Sequence, residues 1–117
     1  MSKLREVNLE RGMPTADQAV RQLTFYIHNS RAQGYEVLKI IHGYGSSGKG
    51  GRIRTASRRY LEEAVVQGRI AAYLPGERFS IFDDTARRAM QQYPQLRQDR
   101  DLDRENRGVT FVFLRGL

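Results

Sequence analysis

The sequence predicts an α/β fold, a two-layer sandwich in which helices pack on a mixed β-sheet. Two stretches carry residues at the 0, 4, 7, 11 spacing of one helix face: Ala16, Val20, Leu23, Ile27 and then Ile53, Ser57, Tyr60, Ala64. Short β-branched apolar runs at Val37 to Ile41 and Val109 to Leu114 alternate with them. Glycine and proline punctuate the boundaries, so the order strand, helix, strand, helix, strands follows. At 117 residues and 39% hydrophobic composition, folding hides roughly two thirds of the unfolded chain's surface. One core is therefore enough, and one domain over residues 1–117 is expected.

The elements follow in order. Leu4, Val7 and Leu9 make Lys3 to Leu9 a short strand, which Gly12 and Pro14 break. Thr15 and Gln18 form a capping-box pair and Gly34 supplies a stop, so the first helix runs from about Thr15 to Gln33. Val37 to Ile41, interrupted only by Lys39, suits a strand covered on both faces. A glycine loop, Gly43 to Gly51, separates it from a second helix that opens near Arg52 and ends at Gly68. Ile70 to Leu74 and Phe79 to Phe82 flank the turn signal Pro75-Gly76 and read as a hairpin or two short strands. Asp83 or Asp84 caps a third helix whose Ala86, Ala89, Met90 and Tyr93 share a face, and Pro94 stops it. Arg97 to Arg107 balances four Arg against Asp99, Asp101, Asp103 and Glu105 and reads as a solvated loop. From Gly108 the chain enters a last strand with apolar residues on both faces.

Composition excludes several classes. Without Cys there is no thiolate zinc site, no cysteine nucleophile and no disulfide framework. No apolar run approaches the ~20 residues of a membrane helix, and charges at Lys3, Arg5, Glu6 and Glu10 interrupt any signal-peptide core. A soluble, cytoplasmic protein without membrane contact is expected. The net charge of +7 favours a polyanionic partner.

That charge is concentrated. Between Lys39 and Arg59 stand six cations, Lys39, Lys49, Arg52, Arg54, Arg58 and Arg59, and no acid. A helix start is already electropositive, so cations there cost ~0.3 to 1 kcal/mol each. Helix two puts its arginines first and Glu62 and Glu63 late. An anion on the glycine loop reverses that sign, because backbone N–H groups, dipole and guanidinium groups then converge on one negative charge. Gly43, Gly45 and Gly48 let a phosphate approach the main chain closely.

Two familiar patterns fit in part. Gly43-x-Gly45-x-x-Gly48 satisfies the dinucleotide fingerprint, although a strand and helix already precede it and the chain is short for a dinucleotide domain. Gly43 to Lys49 opens like a P-loop, but Gly50 stands where a hydroxyl should reach magnesium. Small-nucleotide binding stays open as an alternative. Two separated His residues give no metal spacing, and Asp83-Asp84 are explained by capping. His28, off the apolar stripe of helix one, receives no function.

Ile40-Ile41-His42-Gly43-Tyr44-Gly45, followed by Lys49, Arg52 and an amphipathic helix, resembles the HGxG segment of the small MutS-related (Smr) domain. Gly108-Val109-Thr110-Phe111-Val112-Phe113-Leu114 is similar to the G-x-T-x-V-x-L strand that closes Smr domains, so the likeness runs from about Val7 to Leu114. The stretch between Leu74 and Arg107 looks longer than in compact members. The resemblance implies a domain that binds DNA or RNA and nicks it as an endonuclease, in some members on mRNA in ribosomes. The family's first-strand motif, Leu-Asp-x-His, is here Val7-Asn8-Leu9-Glu10, which loses the imidazole but keeps an acid. A catalytically lapsed binding module is the alternative.

Phosphodiester cleavage needs a base, an acid and charge stabilisation on the phosphate. His42 is a candidate acid or base near neutral pH, or a residue that orients the loop. Glu10 is the candidate replacement for the missing imidazole. Lys49, Arg52 and Arg54 are expected on phosphate charge, and Arg58 and Arg59 along the backbone farther on. Tyr44 stacks on a base or packs on the sheet rim. No cofactor is indicated by the residues, with magnesium left open.

Overall fold

The computed structural model describes residues 3–44 and 49–117, with the side chains of residues 49 and 50 outside the description. Its elements are β1 (Leu4–Asn8), α1 (Ala16–Ala32), β2 (Val37–Ile41), α2 (Lys49–Val66), β3 (Ala72–Pro75), α3 (Asp84–Gln92) and β4 (Val109–Phe113). Two 3-10 turns, Gly76–Arg78 and Pro94–Gln98, flank α3. The sheet order is β1-β2-β4-β3. β1 and β2 run parallel, which requires a crossover, and α1 provides it. β4 returns antiparallel between β2 and β3. The chain's last strand is thus central, as its two apolar faces require.

Period-two alternation divides the core between the faces of this sheet. Val7, Leu38, Ile40 and Val112 meet Ala19, Leu23 and Ile27 of α1 and Ile53, Leu61 and Ala64 of α2. Val37, Phe111 and Phe113 meet Phe79, Leu96 and the Ala86, Ala89, Met90 face of α3. The α/β sandwich is therefore present, and the long segment after β3 supplies a cover for its second face.

Local signals set the helix starts. Thr15 closes the full capping box: its Oγ1 accepts from Gln18 N at 3.2 Å and its own N–H donates to Gln18 Oε1 at 2.9 Å. Asp83 caps α3, accepting from Ala86 N at 2.9 Å. The buried stripe of α1 is Ala19, Leu23, Ile27 and Ser30, one register from the expected Ala16 and Val20. In α2, Leu61 is buried where Tyr60 was expected. α2 also opens earlier, at Lys49 rather than Arg52.

Three expectations need correction. Phe79 to Phe82 is not a strand. Only Phe79 points inward, its ring centroid 4.6 Å from that of Phe111, whereas Phe82 lies exposed in a turn, so the segment lacks the alternation a ladder needs. β3 pairs with β4 instead. Second, Lys39, counted with the cations of the basic run, is not part of a basic surface. It projects from β2 onto the second face, wholly buried, with Nζ 2.5 Å from Asp101 Oδ2 and 3.0 and 3.1 Å from the two oxygens of Asp99. Third, the 97–107 segment is a loop but not a solvated one throughout, because Asp99 and Asp101 turn inward to that ammonium. Burial alone would raise the Asp101 carboxyl, yet the Asn106 amide and the Lys39 ammonium outweigh it and hold it below its ordinary range. Among the described residues no helix is long and apolar enough to cross a membrane.

Candidate nucleic-acid interface

The site forms where β1 and β2 end. Past Ile41 the ladder continues, and the amides of His42 and Gly43 both donate to the Gly108 carbonyl, at 2.9 and 3.1 Å. Gly43 then turns with φ +72°, a conformation that L side chains rarely adopt. Glu10 closes the turn from the β1 side: a Cβ built on Gly43 would lie 2.2 Å from Glu10 Oε2. Asn8 shapes that approach, its Oδ1 accepting from Glu10 N at 2.7 Å. The first-strand stretch and the His-Gly turn, 32 residues apart in sequence from Glu10 to His42, therefore meet.

His42 is fully buried, on the α2 side of the sheet. Nδ1 lies 2.6 Å from the Gly43 carbonyl and Nε2 2.8 Å from Thr110 Oγ1. Burial, the largest influence, lowers the imidazole to about 4; Arg58 and Arg54 add to this, while the Gly43 carbonyl and Glu77 oppose it. The ring is neutral near pH 7. A carbonyl only accepts, so Nδ1 carries the proton, Nε2 accepts, and the Thr110 hydroxyl must donate to it. Thr110 Oγ1 in turn accepts from Arg58 Nε at 3.3 Å.

Arg58 is itself held by Glu77 in a two-pronged pair, Nη1 to Oε2 at 2.7 Å and Nη2 to Oε1 at 2.6 Å, and Arg54 Nη2 adds a third contact at 3.1 Å. Desolvation would raise the Glu77 carboxyl, but the arginine hydrogen bonds and charge bring it down to about 2. A continuous hydrogen-bonded chain thus runs from Glu77 through Arg58, Thr110 and His42 to the Gly43 carbonyl.

The cations of α2 are sorted by this arrangement. Arg54 and Arg58, four residues apart, face inward and share one carboxylate. Arg52 and Arg59 are exposed and, among the described residues, have no acidic partner; with Gly51, Thr55 and Ala56 they line an open groove that reaches Ala16. The first turn of α2 holds no acid of its own, so Glu77 offsets part of the unfavourable charge at this helix start. Tyr44 is 61% exposed and borders a hollow with Arg104 and Arg107. Gly45 and Gly48, and the side chain of Lys49, lie outside the described residues. Among the described residues no group of three His, Asp or Glu side chains gathers as a metal site.

Two participants escape a linear reading. Glu77 lies 19 and 23 residues from its arginine partners, beyond any spacing rule. Thr110 did leave a signal, since it is a polar residue on the face it shares with Val112 and Leu114 in an otherwise apolar strand.

A family model described as the Smr domain matches residues 10–78, more than half of the chain and the part that contains Glu10, His42, Gly43, the α2 arginines and Glu77. The chain belongs to the Smr domain family. Smr domains as a family are linked to nucleic-acid binding and nicking. The fold agrees: the Smr domain of Thermus thermophilus MutS2 superimposes with a TM-score of 0.58 at 23% identity, covering 95% of this chain and 98% of that one. No curated protein matches the chain. In this Smr domain the closing strand lies beyond the family-model match, yet β4 contributes Thr110 to the hydrogen-bonded chain.

Proposed function

We propose that the protein acts as one Smr domain over residues 1–117 that binds DNA or RNA at the His42–Gly43 turn and the start of α2. The observation that carries this reading is the division of the α2 cations. Arg54 and Arg58 share the Glu77 carboxylate and Arg58 braces Thr110 and through it His42, whereas Arg52 and Arg59 face solvent with no acidic partner among the described residues. Seven residues apart, these two stand about 10 Å apart along the helix, on the same side, a row suited to successive backbone phosphates. Lys49 precedes them at the loop. Tyr44 offers an exposed ring to a base. His42 is a positioning residue: Nδ1 holds the Gly43 carbonyl and Nε2 is held by Thr110, so the turn is presented in one geometry.

Nicking is the second reading, favoured by the Glu10 carboxylate against Gly43. With both His42 nitrogens engaged, proton transfer at this end falls to Glu10, as general base for the attacking oxygen. An endonuclease acting on structured RNA, including mRNA in ribosomes, extends this reading by family likeness.

Binding of labelled structured RNA and branched DNA, titrated with salt and with or without magnesium, tests both. Arg52→Ala and Arg59→Ala each lower the slope of log affinity against log salt by about 0.7 to 0.9. Arg54→Ala changes the slope less. A shallow slope in the unaltered protein would instead indicate a mononucleotide ligand. Where cleavage occurs, Glu10→Gln abolishes it while leaving affinity intact; cleavage by Glu10→Gln at the unaltered rate removes Glu10 from the reaction.

A further inference from the structure

A second basic concavity opens beside the first. An open groove of about 650 Å³ lies between the β1–α1 connection and α1, lined among others by Arg11, Gln18, Arg21, Phe25 and Tyr26. A smaller hollow of about 250 Å³ shares Arg11 and Tyr26 with it and reaches Asn8 and Ile41. Those two residues end β1 and β2, immediately before the Glu10 and His42 stretches. The smaller hollow thus reaches the strand ends that lead into the interface already described, with Asn8 holding the Glu10 amide.

Its chemistry is uneven in an informative way. Arg11 and Arg21 are exposed and, among the described residues, make no ion pair, and the larger groove has no acid in its wall. The smaller hollow has Glu6, but that carboxylate faces Lys39 and Arg100, at 3.9 and 3.8 Å. Phe25 is 61% exposed and belongs to neither core cluster. Its ring is steadied by the edge of Tyr26, with centroids 5.8 Å apart, and Tyr26 is steadied by the Arg5 guanidinium 5.3 Å from its centroid. A fixed aromatic face open to water, one helical turn from Arg21, matches an unstacked base followed by its phosphate. A second copy of this chain would bring the same arginines face to face, and a duplex offers no free base face to Phe25.

We infer that this groove carries a single-stranded nucleic-acid segment leaving the His42–Gly43 turn, with Phe25 stacking a base and Arg11 and Arg21 contacting phosphates. The inference rests on the nucleic-acid reading above and adds to it a path and a strand state.

Anisotropy titrations with a labelled single-stranded RNA of about 16 nucleotides, and with a blunt RNA duplex, test it. Phe25→Ala weakens single-strand binding roughly tenfold, Phe25→Trp restores it, and duplex binding is unchanged. The Arg11→Ala, Arg21→Ala pair lowers the single-strand salt slope by about 1.4. Val66→Ala, an exposed apolar position outside the groove, is without effect. Binding of the single strand that ignores Phe25, Arg11 and Arg21 but responds to Arg52→Ala overturns the groove and leaves the proposed function standing. Absence of binding to either probe overturns both. A dimer in solution that Phe25→Ala dissociates gives the groove to a second copy and overturns the inference.

Discussion

Replacing Lys39 by Met lowers the free energy of unfolding by about 3 to 5 kcal/mol, the range for removing one partner of a buried ion cluster. The reason lies in what stays behind. Asp101 and Asp99 both turn their carboxylates onto Nζ, and the ammonium also stands 5.5 Å from the Phe111 ring centroid. Without it, two adjacent, largely enclosed carboxylates repel each other in a low dielectric. The sheet register makes the placement unavoidable, since Lys39 pairs with Phe111 in the ladder and so shares its face. Adding Asp99→Asn and Asp101→Asn to Lys39→Met recovers most of the loss, because it removes the orphaned charge. Urea unfolding of the single and triple variants at neutral pH measures both effects; an unchanged midpoint for Lys39→Met would show that the cluster contributes nothing. The damage reaches the interface as well. Asp101 accepts from Asn106 Nδ2 at 2.9 Å, Asn106 Oδ1 accepts from Gly108 N at 2.8 Å, and the Gly108 carbonyl receives the His42 and Gly43 amides. The ion cluster under the second face thus braces the turn at the sheet's end.

Lys39 also marks where reading a chain in one dimension stops. Local signals carried the elements: the Thr15–Gln18 box, the Asp83 cap and the apolar spacing of α3 act within one or two turns, and each is found where residue chemistry requires it. Charge did not carry over in the same way. Lys39, Arg54 and Arg58 contribute to a positive run in sequence, yet their counter-charges come from Asp99, Asp101 and Glu77, brought in from after β3 by the turn that Phe79 anchors on Phe111. Among the described side chains, Arg52 and Arg59 remain the exposed cations of α2. His42 was legible as a strand-end residue before a glycine-rich stretch, but its burial follows from Thr110 in a strand 68 residues away. Phe79 to Phe82 misled for a related reason, because four residues with three apolar ones suit a strand as well as a turn with one anchor. Phe25 showed no sign in the helical stripe at all, being off it.

Acid weakens the folded protein through His42, by about 3 kcal/mol between pH 6.5 and pH 4. The folded ring titrates at about 4 against 6.5 for a free one. Between those values the unfolded chain binds a proton that the folded chain refuses, so stability rises with pH across the window. It is complete above pH 6.5, falls as pH falls towards 4, and this group causes no further loss below. Burial is the main cause, with the Arg58 and Arg54 charges adding to it. Glu77 acts in the same direction lower down, from 4.5 to about 2, as its carboxylate is lost to the two arginines. Urea midpoints at pH 7 and pH 4.5 read the upper window, and His42→Gln flattens it; the other histidine, His28, is exposed on α1. Stability that stays level from pH 6.5 to 4.5 would mean that the ring is not held neutral. The chemistry at the turn follows the same proton. In the folded protein that proton arrives only around pH 4: a protonated Nε2 cannot accept from the Thr110 hydroxyl, so that bond at the centre of the chain from Glu77 to the Gly43 carbonyl must reverse, and nucleic-acid affinity falls around and below pH 4, at the foot of the window in which stability falls.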